Sequence, residues 1–341
     1  MQMEQSKKSL NDFSLIIVIG KGSYGKVVLV KEKATNEIFA MKILKKKHIR
    51  KSQQIEHIIT ERNILVKIKH PFIVRLAYSF QDEEKLFFVM EYCPGGELFN
   101  LLSSRKKFTE DQTRFYAAQI ILAIEELHKH NTIYRDLKPE NVLIDRHGYL
   151  KIADFGLSKN NINDDKGAKS VCGTPEYLAP EVLLKEGHGK PVDWWALGAI
   201  IFEMLTGLPP FYTENREELF ERIKYKELDI PKTLTKPCVN VLIGLFQKDP
   251  RQRLGSNGAD EIKKHPWFIN VNWNILIKKQ YKPPYVPVVR NEVDTQNFDK
   301  EFLDCPIDSY KNNEMDSQQE KVYIDFSYMG SRQDGGLANK L

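Results

Sequence analysis

Apolar and polar positions along the chain change their period once, near residue 93. Before that point short β-type runs dominate. Residues 15–20, 26–31 and 37–44 each read as a strand, and 53–69 reads as a helix whose apolar positions Ile55, Ile58, Ile59, Leu65 and Ile68 recur at helical spacing. Two further strand runs, 76–80 and 86–92, close at the turn signal Cys93-Pro94-Gly95-Gly96. Past that turn, 110–130 predicts a long amphipathic helix with Phe115, Ala118, Ile121 and Leu122 on its apolar stripe, while 194–206 and 239–246 read as buried helices. A β-rich part followed by a helical part predicts an α+β class, with two lobes joined near residue 93. After His265-Pro266-Trp267-Phe268 the chain is rich in Pro, Asp and Asn with scattered aromatics. It reads as an extended tail laid over the surface, with a disordered end from Gly330 onward. No internal repeat of useful period is present.

Composition narrows the class. At 341 residues the chain has room for roughly two domains. With 41% hydrophobic and 28% charged residues it is ordinary globular material, which excludes wholesale disorder and fibrous structure. A net charge of +5 is too diffuse to argue for nucleic-acid wrapping. Its densest basic run, with Lys42, Lys45, Lys46, Lys47, Arg50 and Lys51, reads as a solvated helix entrance rather than a polyanion site. Cys93, Cys172, Cys238 and Cys305 lie far apart with no CxxC pair, so reduced thiols are expected in place of zinc or disulfides. The first residues lack an apolar signal core, no apolar run approaches ~18 residues, Gln2 is not a myristoylation glycine, and no CaaX box ends the chain. The expectation is a cytoplasmic chain, with the nucleus as a second compartment, and no direct membrane binding.

Candidate chemistry begins at Gly20-Lys21-Gly22-Ser23-Tyr24-Gly25. A GxGxxG string alone is weak, because dinucleotide folds use it to open a helix. Here Val27-Val28-Leu29-Val30 follows at once, so the glycines join strand to strand and their amides are free to cover phosphates, unless the segment is a bare hairpin turn. Lys42 shares a strand face with Ile38 and Ala40, where an ammonium needs a partner. Glu61 on the following helix or a bound phosphate would serve; an edge lysine reaching water is the alternative. Tyr134-Arg135-Asp136-Leu137-Lys138-Pro139-Glu140-Asn141 is far more specific, setting a carboxylate, an ammonium and an amide on one loop before Val142-Leu143-Ile144. Such a set suits proton acceptance, phosphate neutralisation and metal coordination. Asp154, on the face of Leu150 and Ile152 and followed by the turn at Phe155-Gly156, adds with Asn141 a pair of hard oxygen ligands for Mg²⁺.

Taken in order, GxGxxGxV, Ala40-Met41-Lys42, the helical Glu61, YRDLKPEN, Asp154-Phe155-Gly156 and Ala179-Pro180-Glu181 resemble the motif set of eukaryotic protein kinases. Tyr134 in place of the usual His, Cys172-Gly173-Thr174-Pro175-Glu176-Tyr177, and the tail resemble the AGC group. Lys138 and Thr174 resemble its serine/threonine class. The resemblance implies a bilobal protein-kinase fold: an N-lobe at 13–92 with one main helix, a mostly helical C-lobe at 93–268, and a tail at 269–341. It also implies ATP and Mg²⁺, with Asp136, Lys138 and Asn141 catalytic and Asn141 and Asp154 on the metal. Around ATP it places Ile19, Gly20, Lys21, Gly22, Ser23, Tyr24, Gly25, Val27, Ala40, Lys42 and Glu61. Met90 as gatekeeper, Glu91 and Cys93 at the hinge, and Glu97, Glu140, Leu143, Asp154 and the tail Phe298 complete that set. Glu181 paired with Arg253, and Asp193 bracing the catalytic loop, are structural expectations.

Further roles follow from the same resemblance. Glu97, Glu140 and Glu203 match positions that receive arginines upstream of the target, so substrates with Arg at the third position before Ser or Thr are expected. Ser170 matches the activation-loop phosphosite, with His57, Arg135 and Lys159 as its cationic pocket. Ser309 matches a turn-motif site, although Tyr310 stands where Pro often follows. Tyr323-Ile324-Asp325-Phe326-Ser327-Tyr328 resembles the hydrophobic motif, its rings docking beside the Glu61 helix and Ser327 taking phosphate. That ending points to the branch of protein kinase B, the serum-regulated kinases and the ribosomal-protein kinases. Expected partners are basic-motif protein substrates and an upstream activating kinase, and the expected state is a monomer. A non-catalytic kinase-like scaffold is disfavoured by the intact Lys42, Asp136, Asn141 and Asp154, and a dinucleotide-binding oxidoreductase by the strand after Gly25.

Overall fold

In the computed structural model, which describes residues 7–22, 25–49, 52–160, 168, 172–307, 323 and 326–330, the alternating runs at the start of the chain form antiparallel strands. These are β1 (Phe13–Gly22), β2 (Gly25–Glu32), β3 (Ile38–Lys45), β4 (Leu76–Gln81) and β5 (Lys85–Glu91). They lie in the order β1-β2-β3-β5-β4, and a two-residue strand, Tyr328–Met329, extends the sheet beyond β4. The period-two pattern sorts the side chains. Phe39, Met41 and Ile43 of β3 enter a core with Val28, Val30, Phe80, Phe87 and Val89. Ile38, Ala40 and Lys42 share the other, half-buried face. Helix α1 (Ser52–Lys67) buries Ile58, Ile64 and Leu65, and Glu61 lies in the same stripe at 2% exposure.

Those strands and α1 belong to one compact unit, spanning Met1–Lys69, Val74–Pro94 and Val289–Leu341. Of the basic run, Lys47 is exposed as a solvated helix entrance requires, whereas Lys46 departs from that expectation. Lys46, in the turn Lys46–His48, is buried, its ammonium donating to the Asp82 carbonyl at 2.8 Å.

A second unit comprises His70–Ile73 and Gly95–Val288. It contains α2 (Leu98–Arg105), α3 (Glu110–Lys129), the ribbon of β6 (Val142–Ile144) and β7 (Leu150–Ile152), α4 (Pro180–Leu183), α5 (Pro191–Thr206), α6 (Arg216–Tyr225) and α7 (Lys236–Leu245). Helix α3 opens with a capping box, in which the Thr109 hydroxyl accepts from Gln112 N and the Gln112 side chain from Thr109 N. Glu110 and Asp111 at its start, and His128 and Lys129 at its end, complement the helix dipole. Helix α5 is buried from Pro191 to Leu205, with Asp193 and Glu203 the acids carried into that interior. It packs on α3 and α7, and Gly207, at φ +88°, ends it in a left-handed cap. Chain beyond Phe268 is shared: residues up to Val288 belong to the second unit, and those from Val289 to the first. Among the described residues no helix is long and apolar enough to cross a membrane.

Candidate active site

In the first unit, Gly22 pairs with Gly25 across the hairpin between β1 and β2; Ser23 and Tyr24 lie outside the described residues. Only Gly25 is required by packing, since a Cβ there would stand 1.7 Å from the Ile43 carbonyl oxygen. A Cβ at Gly22 would meet nothing within 4 Å, so this strand end, with Lys21 beside it, offers open backbone. Val27 opposes Lys42, and Ala40 opposes Met90, across neighbouring strand pairs. The Lys42 ammonium donates to both Glu61 oxygens, at 2.8 and 3.0 Å, and lies 5.9 Å from the Phe88 ring. Glu61 is buried and Lys42 one-fifth exposed, so the pair is satisfied from inside while the lysine keeps an open side.

Ile19 is buried at the end of β1. Beyond β5 the backbone is fixed by a local clamp: Glu91 N donates to the Arg75 carbonyl, and Arg75 N donates to Glu91 Oε1 at 2.7 Å. Cys93 is buried. Tyr92 donates to the Asp294 carbonyl at 2.6 Å and stacks on Phe298 at 5.7 Å, while Asn297 Nδ2 donates to the Pro94 carbonyl. The expected tail phenylalanine is therefore held against the strand-end segment by ring stacking, with two flanking hydrogen bonds from side chains to backbone carbonyls.

In the second unit, the loop after α3 is anchored on buried Asp193. That carboxylate accepts from Tyr134 N at 2.9 Å and Arg135 N at 2.8 Å, and contacts His128 Nε2 at 2.7 Å. Tyr134 donates its hydroxyl to the Ala153 carbonyl. Asn141 Nδ2 donates to the Asp136 carboxylate at 2.8 Å and to the Asp136 carbonyl at 2.9 Å. Lys138 Nζ stands 3.5 Å from Asp136 and donates to Thr174 Oγ1 at 2.9 Å. Burial raises the Asp136 carboxyl above the usual carboxylate range, against the opposing pull of Lys138 and Asn141. Asp154, at φ +53°, is exposed, and its Oδ1 accepts from Gly156 N. Because Nδ2 of Asn141 is spent on Asp136, its Oδ1 is the remaining donor atom. Among the described residues no group of three or more His, Cys, Asp or Glu could hold a metal. Two hard-oxygen donors nevertheless fit Mg²⁺, which takes one or two protein groups plus phosphates.

The three acids expected to read arginine all fall in this unit. Glu97 precedes α2 and bridges Leu143 of β6 through the backbone. Glu140, in the turn Pro139–Asn141, has its Oε2 buried without a hydrogen-bond partner among the described residues. Glu203, 7% exposed on α5, accepts a hydrogen bond from the Tyr177 hydroxyl at 2.5 Å. Its carboxyl is raised to about 7 by burial and by the charges of Glu140 and Glu176, with Tyr177 opposing. Tyr177 enters the sequence reading only as the end of the motif that starts at Cys172, with no role at the site; its place in the segment before Ala179-Pro180-Glu181 was the available signal. Glu181 and Arg253 form a buried bidentate pair at 2.7 and 2.9 Å.

Of the expected phosphorylation sites, Ser170 and Ser309 lie outside the described residues. Arg135 Nε donates to the Leu157 carbonyl and Lys159 bridges Ile133, both in the second unit; His57 lies on α1 in the first. Ser327 is exposed, and Arg62, one residue after Glu61, donates to its carbonyl at 3.0 Å. Tyr323 and Phe326 are buried; the Phe326 ring meets Phe88 edge-on at 5.2 Å, and Lys46 lies 5.5 Å from the Tyr323 ring. Ser79 donates to the Phe326 carbonyl and Gln81 to that of Tyr323, both at 2.6 Å. Arg62, Ser79 and Gln81 escaped the sequence reading, although the i, i+2 spacing on β4 puts Ser79 and Gln81 on one face.

Comparison with known proteins agrees with this geometry. The profile described as protein kinase domain matches residues 13–268, and that described as protein kinase C terminal domain matches residues 289–328. Similar curated proteins include serine/threonine-protein kinase sgk-1 of Caenorhabditis elegans, 47% identical over 89% of this chain and 66% of that protein. Serine/threonine-protein kinase YPK1 of Saccharomyces cerevisiae is 45% identical over 96% of this chain and 48% of its own length. RAC-beta serine/threonine-protein kinase of Homo sapiens is 44% identical over 96% and 70%. The chain thus spans about half to 70% of the length of these relatives.

Proposed function

The chain belongs to the protein kinase family, in its AGC-type serine/threonine branch, and from that premise we propose that it transfers the γ-phosphoryl of ATP to serine or threonine in proteins carrying arginine three positions upstream. The observation that supports this most is the Asp136 constellation: a half-buried carboxylate held by the Asn141 amide, with the Lys138 ammonium 3.5 Å away. A raised, aimed carboxylate suits acceptance of the substrate hydroxyl proton. The hydroxyl oxygen then bonds to the γ-phosphorus, the bond from that phosphorus to the β–γ bridging oxygen breaks, and ADP carries away the electron pair. Lys138 neutralises the transferring phosphoryl, and Lys42, oriented by Glu61, holds the α- and β-phosphates. Asn141 and Asp154 would hold Mg²⁺, which would supply charge neutralisation to the phosphates. Gly20, Gly22 and Gly25 cover the phosphates through backbone amides.

Activation is proposed to run through phosphates on Ser170 and Ser327, delivered by an upstream kinase. Support comes from the tail: Arg62, on the helix that carries Glu61, already contacts the Ser327 backbone. A phosphate there would find the Arg62 cation already bonded to the carbonyl of the same serine. ATP-dependent phosphorylation of an oriented peptide library, with and without prior treatment by an activating kinase, tests both parts. Selection of arginine at the third position upstream is expected; indifference to it would overturn the specificity.

A further inference from the structure

Among the described residues no cation is paired with the buried carboxylate of Glu203. The titratable groups that act on it are all acidic or weakly acidic: Tyr177 and Glu176 from the turn Pro175–Tyr177, and Glu140 from the turn Pro139–Asn141. Helices α3 and α7, also packed on α5, bring no lysine, arginine or histidine within ion-pair distance of Glu203 among the described residues, His128 of α3 being engaged with Asp193 instead. An unpaired ionised carboxylate inside a protein is costly, and it is relieved in two ways: by taking a proton or by admitting a cation. Glu140 reinforces the second route, because its Oε2 is buried with no hydrogen-bond partner among the described residues and an acceptor of that kind calls for a donor. Guanidinium offers five N–H donors and a fixed positive charge, which matches two adjacent carboxylates better than an ammonium does.

We infer that substrate-arginine recognition at Glu203 and Glu140 is a proton exchange: without substrate Glu203 carries a proton, and an entering guanidinium displaces it to solvent, while Tyr177 is the positioning residue that holds the carboxyl in place. This rests on the arginine specificity proposed above and adds its regulation by pH. The direction is set by three effects. Burial and the neighbouring charges of Glu140 and Glu176 favour the protonated form and bring the Glu203 midpoint to about 7, while the Tyr177 hydroxyl donates to the carboxylate and favours ionisation. Acidification through neutrality would therefore blunt the reading of basic motifs while leaving the transfer chemistry to its own titrations.

The test compares two peptides identical except that the arginine is replaced by citrulline, which keeps the shape and loses the charge. The ratio of their kcat/KM values cancels the titration of Asp136 and of ATP. With a midpoint of about 7, the ionised fraction of Glu203 goes from roughly one tenth at pH 6 to nine tenths at pH 8, so the ratio should rise about tenfold across that interval. Tyr177→Phe should move the rise to higher pH, and Glu203→Gln should leave the ratio low and flat. Calorimetry of the wild-type protein with the arginine peptide, in buffers of different ionisation enthalpy near pH 6.5, should register proton release. A ratio that is high but constant with pH, with no proton released, overturns the exchange and leaves the arginine reading standing. A ratio near one at every pH overturns both.

Discussion

Replacing Phe326 by alanine is the sharpest perturbation of the docked tail. The ring is 3% exposed, meets Phe88 edge-on at 5.2 Å and Tyr323 at 6.3 Å, and its carbonyl accepts from Ser79. Truncating a buried phenylalanine costs about 3–5 kcal/mol in a packed core. Taking the lower end, about 3 kcal/mol, the ratio of docked to undocked tail should fall by about a hundredfold. The first consequence is local. Tyr328 and Met329 lose their pairing with Ser79 and Tyr78, and the Gly330 amide loses the Ala77 carbonyl it donates to at 2.8 Å. The second reaches the catalytic pair, because Arg62 releases Ser327 and α1, which carries Glu61, loses a tether. Hydrogen exchange resolved to residues 328–330 and 77–79 should accelerate strongly, with a drop in kcat on a basic peptide. Unchanged protection at Gly330 in Phe326→Ala would refute the view that the ring is what holds this segment.

Three other outcomes follow from particular contacts. Gly25→Ala places a methyl 1.7 Å from the Ile43 carbonyl oxygen, so β2 and β3 must separate. A lower thermal midpoint and weaker nucleotide binding are expected, and a wild-type midpoint would contradict the packing. Glu203 holds a proton in the folded chain up to about pH 7 but loses it near 4.5 when unfolded, so stability falls as pH rises between those values. Relative to Glu203→Gln, the wild-type protein should lose up to about 3 kcal/mol across that window, measured by denaturant unfolding; parallel curves would refute it. Lys42→Met removes both hydrogen bonds and the positive charge that Lys42 gives the buried Glu61 carboxylate, a loss of about 3 kcal/mol for a broken buried pair, moderated here because Lys42 is partly exposed. Glu61→Gln combined with it should recover part of that stability, and no recovery would mean the pair is not what the mutation breaks.

Much of the fold was legible because it is locally encoded. The period-two runs became β1 to β5 within one or two residues, and the apolar stripe at 53–69 became α1 with Glu61 inside it, which is why Lys42 needed that partner. The pairing of an ammonium on an inward-facing strand position with a carboxylate in an apolar stripe is a local mismatch on each element, resolved only when they meet. Lys46 was misread for the opposite reason. Its surroundings in sequence are all basic, and nothing local announces that the Asp82 carbonyl and the Tyr323 ring, 36 and 277 residues away, receive it. Tyr177 and Glu203 were likewise separable in sequence, 26 positions apart, and their hydrogen bond depends on how α5 packs against the turn Pro175–Tyr177. The left-handed backbone at Arg135 and Asp154 is equally silent, since neither is a glycine.

Transfer of radiolabelled γ-phosphate from ATP to an arginine-bearing peptide, compared between the wild-type protein and Asp136→Asn, addresses the central claim most directly. Phosphorylation of the peptide on serine or threonine is expected with the wild-type protein, and a loss of at least about a hundredfold in kcat with Asp136→Asn, whose amide cannot take the hydroxyl proton. Equal turnover by the two proteins, or none by the activated wild-type protein, would contradict the account.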